Sequence, residues 1–340
     1  MKKVKVEDAV GMVLGHDLTK IVPGQYKGPA FRKGRIIRQE DIPHLKDIGK
    51  DHIFLLELGP GQVHEAEAVT RIASAVAGKN IVLTEAAEGR VNLKAAESGL
   101  LKVKSETVAA VNNVEHAVFS TLHSNRLVAE GDLVAGIKVI PLVVEEAMVA
   151  AVEAIAGEQE DIISVVPLRS LKVGVVITGN EVYYGRIEDK FAPVLAEKVA
   201  RYGATFLGAV NRPDDAGLIA AAIRQWVEEG AELVIASGGM SVDPDDVTPD
   251  AIRQTGAEVV CYGTPVLPGA MFMLAYLSGT AILGMPACGM YSQTTVFDLI
   301  FPRLLAGERL GRRDFAAMGY GGLCTACKSC AYPHCPFGKG

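Results

Sequence analysis

The sequence predicts an α/β protein whose main part is a mostly parallel open sheet covered by helices on both faces. After residue 171, short apolar runs typical of buried strands alternate with helical stretches. Hydrophobic residues make up 49% of the 340 positions, and charged residues interrupt them every few positions. The 36 glycines separate these elements. A smaller β-rich region precedes this part in our prediction, and a cysteine-rich tail follows it.

The composition excludes several classes of protein. The net charge is −6 and the isoelectric point is near 5.7, whereas a protein that neutralises nucleic-acid phosphates needs a basic face. The mean hydropathy is +0.24, yet no apolar run reaches the roughly 18 to 20 residues of a membrane-spanning helix. The first residues also lack the apolar core of a secretion signal. We therefore expect a soluble cytoplasmic protein with neither nucleic acid nor membrane as a partner.

The first 165 residues are predicted to form two β-rich parts. Residues 1–60 read as short strands and turns, and residues 61–165 as a mixed domain that ends in a connecting helix. Helices are predicted at 38–48, 64–77 and 147–155, and an apolar strand at 52–58.

Residues 171–310 hold the predicted α/β domain. Its predicted strands are 173–177, 204–210, 232–236 and 258–262, with a hairpin over 271–283, and its predicted helices are 191–202, 214–229, 248–255 and 291–305. In such a sheet, ligands bind outside the carboxyl ends of the strands. Four turns meet that description: 178–181, 237–246, 265–270 and 284–290.

The turn over 237–246 is the most informative of the four. Gly238 and Gly239 allow backbone amides to approach a bound anion. Asp243, Asp245 and Asp246 follow, and carboxylates this close repel one another unless they are solvated or bridged by a cation such as Mg²⁺. The pattern favours a phosphorylated or nucleotidyl ligand. The alternative is a surface loop with an Asp-Pro turn and an acidic helix cap.

Four short motifs carry a resemblance to a known family. They are the segments 176–182, 237–242, 268–269 and 284–286. In order and spacing they resemble the MoaB/Mog-type molybdopterin-binding domain, most closely that of the molybdopterin molybdenumtransferase (MoeA-type) family. The resemblance implies a pocket for adenylylated molybdopterin, which reacts with molybdate and Mg²⁺ to give molybdenum cofactor and AMP. It also implies a homodimer.

The turns and the resemblance together give the candidate site. The predicted ligand-binding residues are Thr178, Gly179, Asn180, Glu181, Ser237, Gly238, Gly239, Met240, Ser241, Pro268, Gly269, Gly284 and Pro286. The predicted catalytic residues are Asp243, Asp245 and Asp246, which would position Mg²⁺ against the phosphoanhydride.

Departures from the family pattern keep a second function open. Asn180 stands where the family usually has Asp, and Ala270 replaces a lysine, which removes an anion contact. The family's Asp-rich N-terminal stretch has no counterpart here. Insertion of molybdate into adenylylated molybdopterin is the leading prediction. The alternative is a non-catalytic cofactor carrier or redox sensor that docks a molybdoenzyme, and a Mog-type adenylyltransferase fits less well because the loop lacks Gly-Gly-Thr-Gly.

Residues 311–340 form a predicted metal-binding tail. Its cysteines are Cys324, Cys327, Cys330 and Cys335. Their spacing is similar to the run that ligates bacterial iron–sulfur clusters, with one extra residue before the last cysteine. A [4Fe–4S] cluster is favoured. Zn²⁺, with His334 as an alternative ligand to Cys335, is the main rival, and a flexible thiol-bearing tail is the third interpretation.

Overall fold

The computed structural model describes residues 2–22, 26–55 and 58–339. The chain divides into two compact units, of which the first comprises Met1–Ser124 and Val128–Val165 and the second Asn125–Leu127 and Val166–Gly340. The finer division predicted from the sequence, at 1–60, 61–165, 171–310 and 311–340, stays a prediction. Within the described ranges, no helix has the length and apolar character needed to cross a membrane.

The first unit is built mainly from antiparallel strands. The strands that lie wholly or mainly in this unit are β1 (Lys2–Lys5), β2 (Leu18–Val22), β3 (Tyr26–Phe31), β4 (His52–Leu55), β5 (Gln62–His64), β6 (Ile81–Leu83), β7 (Arg90–Ala95), β8 (Gly99–Val103), β9 (Ala117–Thr121), β11 (Leu133–Val139), β12 (Val143–Glu145) and β13 (Ile163–Val166). The strand β10 (Arg126–Val128) follows β9 in the chain, but only its last residue belongs to this unit. The helices are α1 (Asp41–Asp47), α2 (Glu65–Val76), α3 (Ser105–Asn112) and α4 (Glu146–Gly157). The largest sheet has the order β6-β7-β11-β9, and α2 packs against β11 and α4.

The helices predicted for this unit are confirmed with small shifts, as α1, α2 and α4. The sequence did not predict α3, because only Val111 of this short helix is buried and its apolar periodicity is weak. The predicted strand over 52–58 is present as β4 as far as Leu55, and its residues 56 and 57 lie outside the described residues.

The second unit contains the predicted α/β sheet. Its strands are β14 (Lys172–Thr178), β15 (Thr205–Arg212), β16 (Leu233–Ser237), β17 (Glu258–Tyr262), β18 (Met273–Leu277) and β19 (Thr280–Met285). Its helices are α5 (Asn180–Tyr183), α6 (Phe191–Arg201), α7 (Ala216–Glu228), α8 (Thr248–Gln254), α9 (Cys288–Tyr291), α10 (Val296–Leu305) and α11 (Arg312–Ala317). In the sheet order β15-β14-β16-β19-β18-β17, the first four strands are parallel and the last two pair antiparallel.

Alternate residues of the central strand β14 pack on opposite faces of this sheet. Val173, Val175 and Ile177 belong to a buried cluster with α6 and α10. Val176 belongs to another cluster, with α7 and α8. Because successive side chains of a strand point to opposite faces, helices cover the sheet on both sides, which confirms the predicted fold class.

The predicted single helix over 291–305 is wrong. The chain forms α9 and α10 instead, with residues 292–295 between them. Thr295 starts α10 as a capping box: its Oγ1 accepts a hydrogen bond from Phe297 N at 3.2 Å, and its own N–H donates to Asp298 Oδ2 at 2.8 Å. A capping box marks the start of a new helix. The apolar pattern of the sequence continues through residues 292–295, although these residues are not helical.

The cysteine-rich tail packs on this unit. Phe337 is 4% exposed and lies in the same buried cluster as α10. The Tyr332 hydroxyl donates to the carbonyl oxygen of Asp298 at 3.1 Å. Leu267 forms main-chain hydrogen bonds on both sides, from its N–H to Gly322 O and from Cys324 N–H to its carbonyl oxygen.

Candidate functional site

Three of the four predicted turns meet around one cleft of about 550 Å³. The turns follow β16, β17 and β19, so the cleft lies at the edge of the sheet where the parallel strands end. The predicted site residues that line it are Gly239, Met240, Ser241, Asp243, Asp246, Pro268, Gly269 and Pro286.

The other predicted site residues do not line this cleft. They are Thr178, Gly179, Asn180, Glu181, Ser237, Gly238, Gly284 and Asp245. Asn180 is engaged with Asp214, whose carboxylate accepts from Asn180 N–H at 2.9 Å and whose N–H donates to Asn180 Oδ1 at 3.3 Å. The turn over 178–181 is therefore tied to the segment that precedes α7.

The glycine loop is held in a conformation that requires glycine. Gly238 and Gly239 have φ of +107° and +53°, and a Cβ on Gly238 would lie 2.3 Å from the carbonyl oxygen of Thr178. Gly284 leaves room for the side chain of the buried Met240 in this loop, because a Cβ at position 284 would lie 2.5 Å from Met240 Cε. Thr178 and Gly284 thus shape the loop without lining the cleft.

Gly238→Ala is expected to destabilise the unit by about 1–3 kcal/mol and to weaken binding of phosphate-containing ligands, because the methyl group meets backbone that cannot give way. Urea unfolding and calorimetric titration measure the two effects. Gly256→Ala is the matched control, since Gly256 also has positive φ but has no atom within 4 Å of the added Cβ. Equal losses in the two variants would show that backbone conformation alone, and not the contact with Thr178, sets the effect.

The acidic turn presents two of its three carboxylates to the cleft. Asp243 and Asp246 line the cleft, whereas Asp245 does not. The turn is closed by two hydrogen bonds, from Asp243 N–H to Asp246 Oδ2 at 3.2 Å and from Asp246 N–H to Asp243 O at 3.0 Å. Asp246 is half-buried and Asp243 is exposed.

This pair of carboxylates fits Mg²⁺ that arrives with a phosphorylated ligand. Magnesium in proteins is commonly held by one or two carboxylates together with substrate phosphates and water. Nowhere in the described part of the chain do three or more acidic, histidine or cysteine side chains form a group that could hold a metal ion. Asp243 and Asp246 are the carboxylates of the cleft that could hold such an ion, and phosphate oxygens and water would have to complete its coordination.

Asp214 lies beside this acidic region. Burial raises the pKa of its carboxyl, and the charges of Glu181, Asp245 and Asp246 raise it further. The hydrogen bond from Asn180 N–H acts in the opposite direction, but the pKa stays above its ordinary value of 3.8. The folded protein therefore holds this proton more tightly than the unfolded chain does.

Asp214→Asn is expected to raise the melting temperature at pH 7, and this advantage should shrink as the pH falls through the raised pKa and vanish below the ordinary value of 3.8. An acid whose pKa is raised by folding favours the folded state at low pH, and that contribution is lost as the pH rises through the raised value. The amide keeps an oxygen that can accept from Asn180 N–H. Thermal unfolding across pH 3.5–7.5 measures the difference, and a pH-independent difference between variant and wild type would contradict the assignment.

Sequence reasoning did not select three apolar residues that line the cleft, Leu267, Met271 and Ala287. They lie in or beside turns predicted to face the ligand, and that position was the signal that could have identified them. Cys288, which follows Pro286 in one of these turns, also lines the cleft. Burial raises the pKa of the Cys288 thiol, so this cysteine is a neutral lining group.

The four tail cysteines surround a second cavity, of about 290 Å³. Cys324 and Cys335 are half-buried, and Cys327 and Cys330 are exposed. His334, the alternative metal ligand, is not among the lining residues.

Comparison with known proteins identifies the domain that holds the cleft. Residues 174–306 match the family described as "Probable molybdopterin binding domain". The predicted resemblance is thereby confirmed for this part of the chain, which is a MoaB/Mog-type domain. Residues 3–57 match a family described as a domain of unknown function, DUF8806.

Curated relatives resemble the chain over part of their length. A CinA-like protein of Mycobacterium tuberculosis is 34% identical over 92 residues, which are 27% of this chain and 21% of that protein. A molybdopterin molybdenumtransferase of Synechococcus elongatus is 26% identical over 146 residues, which are 40% of this chain and 36% of that protein. The chain thus spans about a fifth and about a third of these relatives. The solved structure of the molybdopterin biosynthesis enzyme MoaB from Thermus thermophilus is 20% identical, with a TM-score of 0.34, and covers 41% of this chain and 98% of its own.

Proposed function

We propose, from the molybdopterin-binding domain in residues 174–306, that the chain binds adenylylated molybdopterin in the cleft and inserts molybdate into it with Mg²⁺, releasing AMP. One observation carries the proposal. The cleft joins the glycine loop to Asp243 and Asp246, so that a phosphate-binding backbone and metal-binding carboxylates share one space.

In this proposal three groups of residues that line the cleft have different roles. The loop at Gly239 and Ser241 would hold the phosphate groups, and Asp243 and Asp246 would hold Mg²⁺. An ion held there would supply charge stabilisation for the phosphate oxygens of the ligand. The apolar side of the cleft, around Leu267 and Met271, packs on the rest of the ligand and keeps water away from it.

A non-catalytic carrier or redox sensor that passes the cofactor to a molybdoenzyme is the second candidate. Two observations favour it. Asn180 is already engaged with Asp214 and brings no charge to the site, and Ala270 lines the cleft without offering a cation to an anionic ligand. In this version the same walls bind the cofactor, and no bond of the ligand is broken. A homodimer is proposed for either version.

The purified full chain, incubated with adenylylated molybdopterin and molybdate, distinguishes these functions. Insertion predicts AMP release that depends on both molybdate and Mg²⁺, followed by activation of an apo-molybdoenzyme. Tight binding without AMP release would select the carrier. Failure to bind the ligand at all, with Mg²⁺ present, would reject both functions.

A further inference from the structure

The cavity in the tail brings together chemistry that the pterin cleft does not use. Four thiols from Cys324, Cys327, Cys330 and Cys335 line a single space of about 290 Å³. Cys261 is buried in the sheet core, and Cys288 lines the other cleft. The tail cavity is therefore lined by all four cysteines of the C-x2-C-x2-C-x4-C run and by neither of the other two cysteines.

Two kinds of metal site use four cysteines, and they require different arrangements of the sulfurs. A tetrahedral zinc site requires four ligands, with each sulfur about 2.3 Å from one ion. Among the residues that the structure describes, no three cysteine, histidine or acidic side chains form a group suited to a single ion. In a four-iron cluster each thiolate binds its own iron, so the four sulfurs stand apart around an inorganic core. Four cysteines that line one cavity without forming a group for a single ion fit the second kind of site better than the first.

The backbone that carries these cysteines is anchored before any metal binds. Cys324 N–H donates to Leu267 O at 2.8 Å, which fixes the start of the run. Tyr332 and Phe337 pack into the domain core and fix its end. Thr294 Oγ1 lies 3.3 Å from the Cys330 sulfur. A site held at both ends loses less conformational entropy when it binds.

The surroundings also suit an inorganic cluster. Tyr332, which is half-buried, and Phe337, which is buried, give the cavity an apolar wall, whereas Tyr291 and Leu323 line it from exposed positions. Hydrogen bonds at the sulfurs, such as that between Thr294 Oγ1 and the Cys330 sulfur, are one means by which proteins tune such clusters.

We propose that this cavity binds a [4Fe–4S] cluster through Cys324, Cys327, Cys330 and Cys335. Two Fe²⁺, two Fe³⁺ and four sulfide ions make a core of charge 2+, and the four thiols each lose one proton on binding it, so no further oxidant or reductant is needed. Pro268 lines both this cavity and the cleft described above, so the two cavities share one residue of their walls. The proposal does not depend on what the cleft binds.

Metal analysis of the full chain tests the proposal directly. The protein is purified without oxygen and, in parallel, the metal-free chain is incubated with equal amounts of ferrous and ferric iron and with sulfide. About four iron and four acid-labile sulfide per chain are expected, with a broad absorption near 400 nm that bleaches on reduction. A stable zinc complex that resists this treatment, iron without sulfide, or no bound metal would each overturn the proposal.

Cysteine variants then test the ligands. Cys327→Ser and Cys330→Ser change exposed side chains, so the chain should fold, as far-ultraviolet circular dichroism can verify, and at least half of the cluster should be lost. Cys288→Ser is the matched control and should retain it, as should His334→Ala. Full cluster content in both tail variants would overturn the assignment, and so would its loss in either control.

Discussion

Asp246→Asn is expected to lower the rate of Mg²⁺-dependent AMP release about a hundredfold, which corresponds to about 2.7 kcal/mol of lost transition-state stabilisation. The variant removes one of the two carboxylates that line the cleft. Its amide oxygen can still accept the hydrogen bond from Asp243 N–H, so the turn should keep its shape. Steady-state rates at several Mg²⁺ concentrations measure the loss, and more Mg²⁺ should be needed for half-maximal rate.

Asp245→Asn is the matched control for this prediction. Asp245 belongs to the same turn and carries the same charge, but its side chain is exposed and does not line the cleft. Its removal should change the rate by no more than about twofold, since exposed charges are screened by solvent. If both variants lost activity equally, the net charge of the turn, and not metal binding in the cleft, would explain the effect.

Asp298→Asn is expected to lower the free energy of unfolding of the second unit by about 3–5 kcal/mol, the usual effect of removing one partner from a buried ion pair. Asp298 is 2% exposed and Lys198 is 5% exposed, with Lys198 Nζ 3.3 Å from Asp298 Oδ2. The same carboxylate accepts from the Tyr202 hydroxyl at 2.9 Å. Asparagine would leave the Lys198 charge buried without a counter-charge. Urea denaturation measures the loss.

Two further variants isolate the charge from the packing. Lys198→Met combined with Asp298→Asn should be more stable than Asp298→Asn alone, because no unpaired charge remains buried. Arg201→Met removes an exposed ion pair with Glu197 from the same helix, α6, and should change stability by less than about 1 kcal/mol. A double variant as unstable as the single one would point to lost hydrogen bonds to Tyr202 and Thr295 as the main cause.

The fold of the second unit could be predicted from its sequence because its strands are buried on both faces. Runs such as Val173–Ile177 are apolar without alternation, which is typical of parallel strands between helix layers. The break between α9 and α10 could not be predicted from apolar periodicity, since a capping box reorients the chain without changing that pattern. The helix α3 was not predicted because only one of its residues, Val111, is buried, and a single buried residue produces no apolar periodicity.

The candidate site was predictable at the level of turns and less so at the level of side chains. The rule that ligands bind at strand ends identified three turns that the structure brings together. Spacing could not distinguish Asp245 from Asp246, because the direction of a side chain in a turn depends on hydrogen bonds such as that from Asp243 N–H to Asp246 Oδ2. It also could not show that Asn180 would be occupied by Asp214.

The segment at Leu267 and Pro268 connects the two cavities and can couple the binding of a molecule in one to binding in the other. Pro268 forms part of both cavities, and Leu267 is bonded through its main chain to Gly322 and Cys324 in the tail. A molecule that stiffens this segment from one side changes the ordering entropy that a second molecule must overcome on the other. Such linkage is reciprocal: whatever factor the first occupant applies to the affinity of the second, the second applies to the first. If the cleft and the tail cavity both bind as proposed, each occupant would therefore change the affinity of the protein for the other through this shared segment of backbone.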